Sequence, residues 1–600
     1  MTFNDIYNKI IVMNDFLEKY NELLLEVSKP GRYTGGEYNT PNMKKTHTLK
    51  MCMCFPDVYE VAMSNIGISI LYNMLNEEEN ILCERCYAPW VDLGDKLKEN
   101  GLPLISIENK TPLKEFDVLG FSMQFELLYT NLLYMLDLAG IPFYSKDRDD
   151  SYPIIIAGGP CSINPEPFAP FVDVVSIGEG EECLKEFAHL VDEGKKKGLT
   201  KKEILKEAKN IVGIYVPSMH EKGERVQKAV VSDIDKSYYP VKPIVPNIEI
   251  VHDRVVLELY RGCASGCRFC QACFFYRPIR EKSKEVAYYQ ATEMLKNTGY
   301  NEISLSSLST GDYTHLNELI EDLAVYAEKH HVNLSLPSLR LNSYDNSISR
   351  VCRKSSLTFA PEAGTQRLRD VINKNITISD IENGIGSAFS QGYDSIKLYF
   401  MIGLPTETDE DLQGIIDICK YLKDLYYQKR KSNRLRISLS TAVFIPKPFT
   451  PFEFCKQITL GEMRRKQEFL YDGLSKIKGV DYHYHDSKSS RIEGILARGD
   501  QKLAKVIELA YKKGCRFCSW TEHFKYDKWE EAISEAGVNA DDYLREYSTS
   551  EELCWDFIDG GVSKNYLVKE YEKALRAETT KNCRNGCNAC GAMSIGRCNI

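Results

Sequence analysis

The sequence has no run of about eighteen apolar residues, and its amino-terminal stretch lacks the continuous apolar core of a secretory leader. Its net charge of −9 gives no overall attraction for nucleic acid or anionic lipid. Only ten histidines are present, so mixed cysteine–histidine zinc sites are less natural than all-thiolate sites. These shortages predict a cytoplasmic protein that does not enter a membrane.

Cysteine, in contrast, is abundant. Twenty cysteines are many for a cytosolic chain, where structural disulfides are rare. Several of them form two tight groups, within residues 263–273 and 583–598. In a chain of this size such groups favour ligation of a metal or an iron–sulfur cluster over a disulfide framework.

Two stretches of alternating strand and helix patterns predict an α/β fold. In the first, buried apolar runs such as LKMCMCF and YPIIIAGG alternate with helices, which favours a doubly wound, Rossmann-like parallel sheet. In the second, six strand–helix units from VVLELY to RISLSTAVF favour a partial or complete (β/α)6 barrel. The chain after Asp486 is mainly helical.

Six hundred residues are too many to fold around a single hydrophobic core, so several domains are expected. The predicted ranges are a helical extension at 1–46, the Rossmann-like domain at 47–230, a proline-rich linker at 231–250, the barrel at 251–485, a helical domain at 486–575 and a cysteine-rich tail at 576–600.

The segment RGCASGCRFCQAC, directly after the first barrel strand, carries a C-x3-C-x2-C spacing. Cys263, Cys267 and Cys270 are close enough for one loop to hold three irons of a [4Fe–4S] cluster. Electron-transfer clusters normally have four cysteines, so a set of three leaves one iron for an exogenous ligand. Cys273 is a poorer fourth ligand, because its spacing requires a different wrap of the loop. A structural zinc loop is the alternative.

This segment resembles the radical S-adenosylmethionine (SAM) superfamily. The resemblance implies that the open iron chelates the amino and carboxylate groups of SAM, and that reduction cleaves the sulfonium to a 5′-deoxyadenosyl radical. It also implies an electron donor such as flavodoxin or ferredoxin.

Three segments at the ends of later barrel strands are similar to the SAM-binding segments of that family. In that family, the segment similar to SLSSLSTGDY contacts the amino group of SAM. The segment similar to LTFAPEAGTQRLR contacts the ribose and the carboxylate of SAM, and the segment similar to KLYFMIGLPTET contacts the adenine. The resemblance implies that residues of these three segments contact SAM, together with Phe269, the aromatic residue before the third cysteine. The candidates in the segments are Ser307, Ser309, Glu362, Arg367, Ile402 and Gly403.

The amino-terminal domain resembles the cobalamin-binding domain that precedes many radical SAM cores. The common signature Asp-x-His-x-x-Gly is missing: no histidine lies in residues 50–180, and Tyr59 stands where one is expected. Cobalamin would therefore bind without a histidine on cobalt; the alternative is a cofactor-free domain that shapes the substrate channel. The candidate cobalamin contacts, in loops after the strands, are Ser122, Gly158, Gly159, Glu179 and Gly180.

The carboxy-terminal segment NCRNGCNACGAMSIGRCNI repeats the cysteine spacing and adds one more thiolate. Four thiolates suit zinc or a closed second [4Fe–4S] cluster, and a reduced tail without metal is the alternative. The CERC and GCRFC pairs elsewhere are expected to be small buried side chains, with a redox or ligand role as the alternative. The candidate ligands of the tail are Cys583, Cys587, Cys590 and Cys598.

Over its full length the chain resembles a family of radical SAM proteins with a cobalamin-binding-type amino-terminal domain. Its barrel is similar to those of the methylthiotransferase and Elongator-type branch. The leading hypothesis is radical modification of a substrate, in the form of methylation of an unactivated carbon if cobalamin is present. The alternatives are methylthiolation of tRNA or a ribosomal protein, and a non-enzymatic iron–sulfur carrier or redox scaffold. The substrate stays open, with RNA and protein as candidates.

Overall fold

The computed structural model describes residues 16–335 and 357–598, which form two compact units. The first unit contains the described residues up to Val231, together with Tyr238–Asp253 and Asp500–Val538. The second contains Ser232–Ser237 and the described residues between Arg254 and Gly499 and from Asn539 onward. The region predicted as one helical domain, 486–575, thus contributes to both units. The six domain ranges given above stay a prediction of organisation.

The secondary structure alternates strand and helix over most of the described chain. The strands are β1 (Leu49–Phe55), β2 (Ile81–Tyr87), β3 (Val118–Ser122), β4 (Ile154–Gly158), β5 (Val174–Ser176), β6 (Ile214–Tyr215), β7 (Val226–Gln227), β8 (Val255–Glu258), β9 (Tyr260–Arg261), β10 (Arg280–Glu281), β11 (Glu302–Ser306), β12 (Asn333–Ser335), β13 (Leu357–Glu362), β14 (Ser395–Ile402), β15 (Arg436–Val443), β16 (Val480–Tyr484) and β17 (Ile558–Asp559). The helices are α1 (Tyr59–Ala62), α2 (Ile66–Glu77), α3 (Val91–Glu99), α4 (Tyr129–Leu138), α5 (Gly180–Lys197), α6 (Lys201–Ala208), α7 (Ala272–Phe275), α8 (Lys284–Thr298), α9 (Leu316–His330), α10 (Gln366–Val371), α11 (Ile378–Ser390), α12 (Asp409–Arg430), α13 (Leu460–Leu474), α14 (Ser487–Ala497), α15 (Leu503–Lys512), α16 (Tyr526–Glu535), α17 (Asp541–Leu544) and α18 (Lys564–Leu575).

The first unit is built on a sheet with strand order β2-β1-β3-β4-β5-β6, parallel except for β6. The predicted α/β class and Rossmann-like sheet are therefore confirmed. The chain passes from β1 to β2 in one direction along the sheet and from β3 to β4 in the other, so a topological switch point lies between β1 and β3. Doubly wound sheets bind ligands at such a switch point, outside the carboxyl ends of the strands.

The sequence pattern failed at strand β2, ILCERCY, which was not predicted. This strand is buried along its whole length although it contains two charged residues. Arg85 is held by Glu37 at 3.0 Å and by Glu108 at 2.6 Å, while Glu84 accepts a hydrogen bond from Asn109 at 2.7 Å. These partners lie outside the strand, so the local pattern gave no sign that the charges would be satisfied in the interior.

The second unit contains two parallel sheets, with strand orders β12-β11-β8 and β13-β14-β15-β16. All six predicted barrel strands are present, and β16 is an additional strand that was not predicted. The sequence between the two sheets lies outside the described residues. This arrangement confirms the parallel α/β architecture that the βα alternation predicted.

Alternate residues of the larger sheet point to opposite sides. One set, which includes Ile396, Leu398 and Ile437, is fully buried in a core formed with apolar residues of α11, α12 and α13. The other set is less buried: along β14, Lys397 and Tyr399 are exposed, and Ser395 and Met401 are partly exposed. Helices therefore cover one face of this sheet.

No helix of the described residues is both long and apolar enough to cross a membrane.

A buried carboxyl group makes the stability of the second unit dependent on pH. Burial raises the pKa of Glu453 to about 7, although its carboxylate accepts hydrogen bonds from the Trp555 indole at 3.0 Å and the Phe449 amide at 2.8 Å. Protonation of this group stabilises the folded state. Its contribution is complete below the unfolded pKa of about 4.3 and is lost as pH rises through about 7.

We therefore expect Glu453→Gln, which keeps a neutral acceptor, to abolish this pH dependence. Relative to the variant, the wild type should lose about 3 kcal/mol of unfolding free energy between those two pH values. Guanidinium unfolding at a series of pH values measures the difference. Glu468→Gln, on an exposed site of α13, is the matched control. Parallel pH profiles for wild type and Glu453→Gln would contradict the assignment.

Candidate active site

The predicted cysteine triad lies in a loop after β8 and β9, and the loop is fixed by backbone contacts. The Arg268 amide donates to the Ile372 carbonyl at 3.0 Å, and the Asn373 side chain donates to the Gly266 carbonyl at 3.0 Å. Asn373 also accepts a hydrogen bond from the Thr580 amide at 2.8 Å. One asparagine thus joins the loop to the carboxy-terminal segment.

The thiols of this loop are gathered in one place. Cys263 and Cys267 are buried, and Cys270 is partly exposed. Hydrogen bonds to all three, together with burial, raise the pKa of Cys273 well above its ordinary value. The three predicted ligands therefore converge around a fourth thiol, that of Cys273.

Within the described residues, no group of three or more His, Cys, Asp or Glu side chains is already arranged to hold a metal ion. The donor set of the loop nevertheless fits an iron–sulfur cluster by its chemistry. It consists of thiols alone and lies in a largely buried environment, as such clusters require. Cys263, Cys267 and Cys270 are the residues that would hold the cluster.

A buried ion pair anchors the middle of the loop. The Arg268 side chain is completely buried and donates to the Glu570 carboxylate of α18 at 3.0 and 3.2 Å. It also donates to three backbone carbonyls, those of Asp370, Val371 and Glu578. The guanidinium therefore ties the loop to α10, α18 and the segment leading into the tail.

The carboxy-terminal tail packs against the triad loop. The Cys583 amide donates to the Ala264 carbonyl at 3.0 Å, and the Arg584 guanidinium forms an ion pair with Glu281 of β10. Ala592 belongs to the same hydrophobic cluster as Cys263, and the partly buried Cys590 packs against that cluster. The two cysteine groups, which are over 300 residues apart in sequence, are neighbours in the fold.

Three of the four predicted tail ligands lie near Arg277. Although burial opposes its charge, the neighbouring Cys583 and Cys590 thiols raise the pKa of Arg277. Burial raises the pKa of Cys598, and proximity to Cys590 and Cys583 acts in the same direction. Cys587 is exposed, and its sulfur accepts a hydrogen bond from the Ala589 amide. Cys587 is thus the predicted tail ligand most accessible to solvent.

The segment expected to meet the SAM amino group contains an unsatisfied hydroxyl. Ser309 is buried, and its Oγ has no hydrogen-bond partner among the described residues. Its carbonyl accepts a hydrogen bond from the Tyr260 hydroxyl. Ser307 instead shares a hydrogen bond with Thr310 at 3.1 Å. A buried polar atom without a partner is costly, which fits a ligand group at Ser309.

Glu362, expected near the ribose, has an unusual backbone. Its φ of 66° lies in the left-handed region that non-glycine residues rarely adopt, and the register between β13 and β14 shifts between Phe359 and Glu362. Its carboxylate pairs with Lys374 at 3.1 Å. Bulges and strained residues concentrate at functional sites, so this geometry is compatible with a ligand-binding role.

The residues expected near the SAM carboxylate and adenine stabilise a turn. Arg367 pairs with Asp411 and donates to the Thr406 carbonyl at 2.9 Å. The Gly403 amide donates to the Glu407 carboxylate at 2.7 Å, and Ile402 is buried toward the helices. The structure thus gives Arg367 and Gly403 partners within the chain, which sequence similarity alone did not indicate.

Phe269 connects the triad loop to the end of β14. It packs on the cluster that contains Leu368 and Phe452, and Met401 packs on the same cluster. Because Met401 belongs to the face of β14 opposite the helices, the triad loop lies at the carboxyl end of that open face.

In the first unit, most candidate cobalamin contacts have partners within the chain. Gly159 has a φ of 97°, and a Cβ there would lie 2.8 Å from the Met123 carbonyl. Glu179 accepts a hydrogen bond from the Val231 amide at 2.7 Å. Of the remaining candidates, Ser122 accepts from Gln124 at 2.7 Å, Gly158 packs near Ser176, and Gly180 packs near Leu71.

The GCRFC segment contributes to the carboxyl edge of this sheet, which the sequence did not reveal. Cys515 and Cys518 are buried, as expected for small core side chains. The Phe517 amide donates to Asn131 at 2.7 Å, and the Trp520 indole donates to Asp57, just after β1, at 3.0 Å. Part of the switch point is therefore covered by this segment.

A parallel α/β unit with three thiols gathered after its first strand defines the class of radical SAM enzymes. Comparison with known families agrees: residues 257–419 match the model of the radical SAM superfamily, and residues 67–217 match the model "radical SAM proteins, N-terminal". Together the two matches span just over half of the chain. The chain is a radical SAM protein, and the cofactors of its superfamily are SAM and a [4Fe–4S] cluster.

Two relatives are from Methanocaldococcus jannaschii. The uncharacterized protein MJ0966 is 28% identical over 496 residues, covering 81% of this chain and 97% of that protein. The putative methylthiotransferase MJ0865 is 26% identical over 352 residues, covering 53% and 68% of the two chains. Among solved structures, the radical SAM methyltransferase TsrM from Kitasatospora setae, with cobalamin and a [4Fe–4S] cluster bound, is 12% identical with a TM-score of 0.48, covering 81% of this chain and 99% of that one.

We expect the Arg268–Glu570 pair to control the stability of the triad loop. Glu570→Gln leaves a fully buried guanidinium without its counter-charge, which should cost about 3–5 kcal/mol of unfolding free energy. Hydrogen exchange should also become faster in residues 262–274. Glu578→Gln removes the charge of an exposed carboxylate that pairs with Arg576, and it should change stability by less than about 0.5 kcal/mol. Equal effects of the two variants would argue against the anchoring role.

Proposed function

We propose that this enzyme reductively cleaves SAM at a [4Fe–4S] cluster held by Cys263, Cys267 and Cys270. The convergence of these three thiols in one largely buried loop, at the carboxyl end of a parallel sheet, is the observation that carries the proposal. Three protein ligands leave an iron available for SAM. When bound, the cluster supplies the electron that cleaves the sulfonium bond and forms the 5′-deoxyadenosyl radical.

The protein itself orients SAM and excludes water from the radical. Ser309 offers a buried hydroxyl without a partner to the amino group of SAM. Glu362 faces the ribose in this proposal, with its left-handed backbone fixed by the bulge in β13. Phe269 and the apolar cluster around Leu368 exclude water from the surroundings of the cysteine loop. An electron donor such as flavodoxin or ferredoxin supplies the reductant in the cytoplasm.

For the overall reaction we propose methylation of an unactivated carbon, with cobalamin bound by the first unit. The topological switch point between β1 and β3 supports this proposal, because such edges bind cofactors in doubly wound sheets. Tyr59 does not serve as a cobalt ligand in it: its hydroxyl is buried and hydrogen-bonded to Glu37 at 3.1 Å. Cobalamin would be held without a protein ligand from that position.

Methylthiolation is the second candidate, favoured by the sequence relationship to the putative methylthiotransferase MJ0865. That reaction, by the resemblance, requires a second cluster in the amino-terminal domain. There, Cys52, Cys54 and Cys86 are buried in β1 and β2, and burial raises the pKa of Cys52 and Cys86. Such thiols behave as small apolar side chains, so a second cluster fits better at the carboxy-terminal cysteines.

The cluster assignment predicts unequal effects of four cysteine substitutions. Alanine at Cys263, Cys267 or Cys270 should remove the [4Fe–4S] EPR signal and reduce 5′-deoxyadenosine formation at least a hundredfold after anaerobic reconstitution. Cys273→Ala, the matched control, should keep the signal, its change on addition of SAM, and most of the cleavage activity. Loss of the cluster in Cys273→Ala would indicate four thiolate ligands and contradict an open iron.

The cobalamin assignment predicts a corrin absorption spectrum that stays with the protein. Purified protein incubated with hydroxocobalamin and then desalted should retain about one equivalent. Gln124→Trp, which adds bulk beside Ser122 at the end of β3, should retain much less. Tyr144→Trp, outside that edge, is the control. Absence of bound corrin in the wild type would leave methylthiolation as the better-supported reaction.

A further inference from the structure

The open face of the sheet β13-β14-β15-β16 has a composition that its architecture does not require. In parallel barrels the interior is normally filled by branched apolar side chains. Here the positions opposite the helix-packed core include Lys397 and Tyr399 on β14, and Asp481 and His483 on β16, all of them exposed. Polar side chains thus occupy a face that is usually apolar.

The register of the strands arranges these side chains in two rows. Lys397 pairs in register with Thr358 on one side and Ser438 on the other, and Ser438 pairs with Asp481. In the next row, Tyr399 pairs with Ser440, which pairs with His483. The ammonium group of Lys397 therefore has a hydroxyl residue on each neighbouring strand.

Lys397 has no counter-charge within the described residues, where no ion pair or hydrogen bond includes its side chain. The nearest carboxylate in its row is Asp481, two strands away and roughly 10 Å distant at the backbone, given about 4.8 Å between strands. An ammonium group with two flanking hydroxyl residues offers several donors and no acceptor charge. This donor set suits an oxyanion.

The position of Lys397 relative to the cysteine loop is also informative. The same face of β14 carries Met401 at its carboxyl end, where Phe269 of the cysteine loop packs on the same cluster. Four residues of strand separate Lys397 from Met401, or about 13 Å. A substrate of that length, bound through one end at Lys397, would reach the cysteine loop with its other end.

We propose that this face binds the substrate of the enzyme, and that Lys397, Thr358 and Ser438 bind an oxyanion of the carboxylate or phosphate type on that substrate. The proposal rests on the proposed function for its role in catalysis, but oxyanion binding itself does not require SAM cleavage. Tyr399, in the row closer to the cysteine loop, contacts the part of the substrate between the oxyanion and the reacting carbon.

Lysine acylation by an N-hydroxysuccinimide ester, read by mass spectrometry on the full-length reconstituted enzyme, tests oxyanion binding. Inorganic phosphate or acetate, added at constant ionic strength with chloride as balance, should slow acylation of Lys397 at least threefold in a saturable way. Lys420, an exposed helix residue paired with Asp417, is the internal control and should not change. Protection by phosphate alone or by acetate alone identifies the preferred oxyanion. Equal behaviour of Lys397 and Lys420 with both anions would overturn the proposal.

Variants separate this site from the SAM-cleaving centre. In thermal unfolding, the anion that protects Lys397 should raise the transition temperature of the wild type and of Lys397→Arg, but not that of Lys397→Gln. Substrate-independent formation of 5′-deoxyadenosine, measured on the wild-type protein, reports on the SAM-cleaving centre separately from anion binding. An anion-induced shift that persists in Lys397→Gln would place the anion elsewhere. Loss of 5′-deoxyadenosine in the wild type would instead refute the proposed function and leave oxyanion binding testable.

Discussion

The arrangement of the second unit depends on the buried pair between Arg268 and Glu570. A loop of reactive thiols cannot be held by apolar packing alone, because its backbone carbonyls must be satisfied as well. The Arg268 guanidinium extends from the loop and donates to three backbone carbonyls of other segments and to one carboxylate. The loop, the helix α18 and the tail are consequently fixed together, so that the two cysteine groups become neighbours although about half of the chain separates them.

Much of this fold could be predicted from local patterns. Short apolar runs between helices identify the strands β1, β3 and β4 and the six barrel strands. The cysteine loop is likewise recognised from the spacing of its own cysteines, which requires no information about distant residues. Strand β2 could not be predicted, because Arg85 becomes acceptable in the interior only through Glu37 and Glu108. Strand β16 is short and mostly exposed, so it lacks the apolar signal of its neighbours.

For the candidate sites too, residue type is known from the sequence, whereas the partners of each side chain are known only from the fold. A glycine in a strand-end loop is compatible with a ligand or with a neighbouring backbone, and Gly159 lies against the Met123 carbonyl. Arg367 has the charge to bind a carboxylate, and it forms an ion pair with Asp411. Residue type indicates what a side chain can bind, whereas its partners in the fold depend on distant parts of the chain. Ser309 is the converse case, since its missing partner is visible only after burial is known.

The alternation of buried and less buried residues along β14 separates positions that maintain the fold from positions that are free to bind a ligand. Residues such as Ile396 and Leu398 are locked by close packing under the helices, where even small changes in volume are costly. Their immediate neighbours in sequence, on the other face, touch few other side chains and can be exchanged without disturbing that interior. Substitutions at every second position of β14 can therefore change what this face binds, while the packing between the sheet and its helices stays intact.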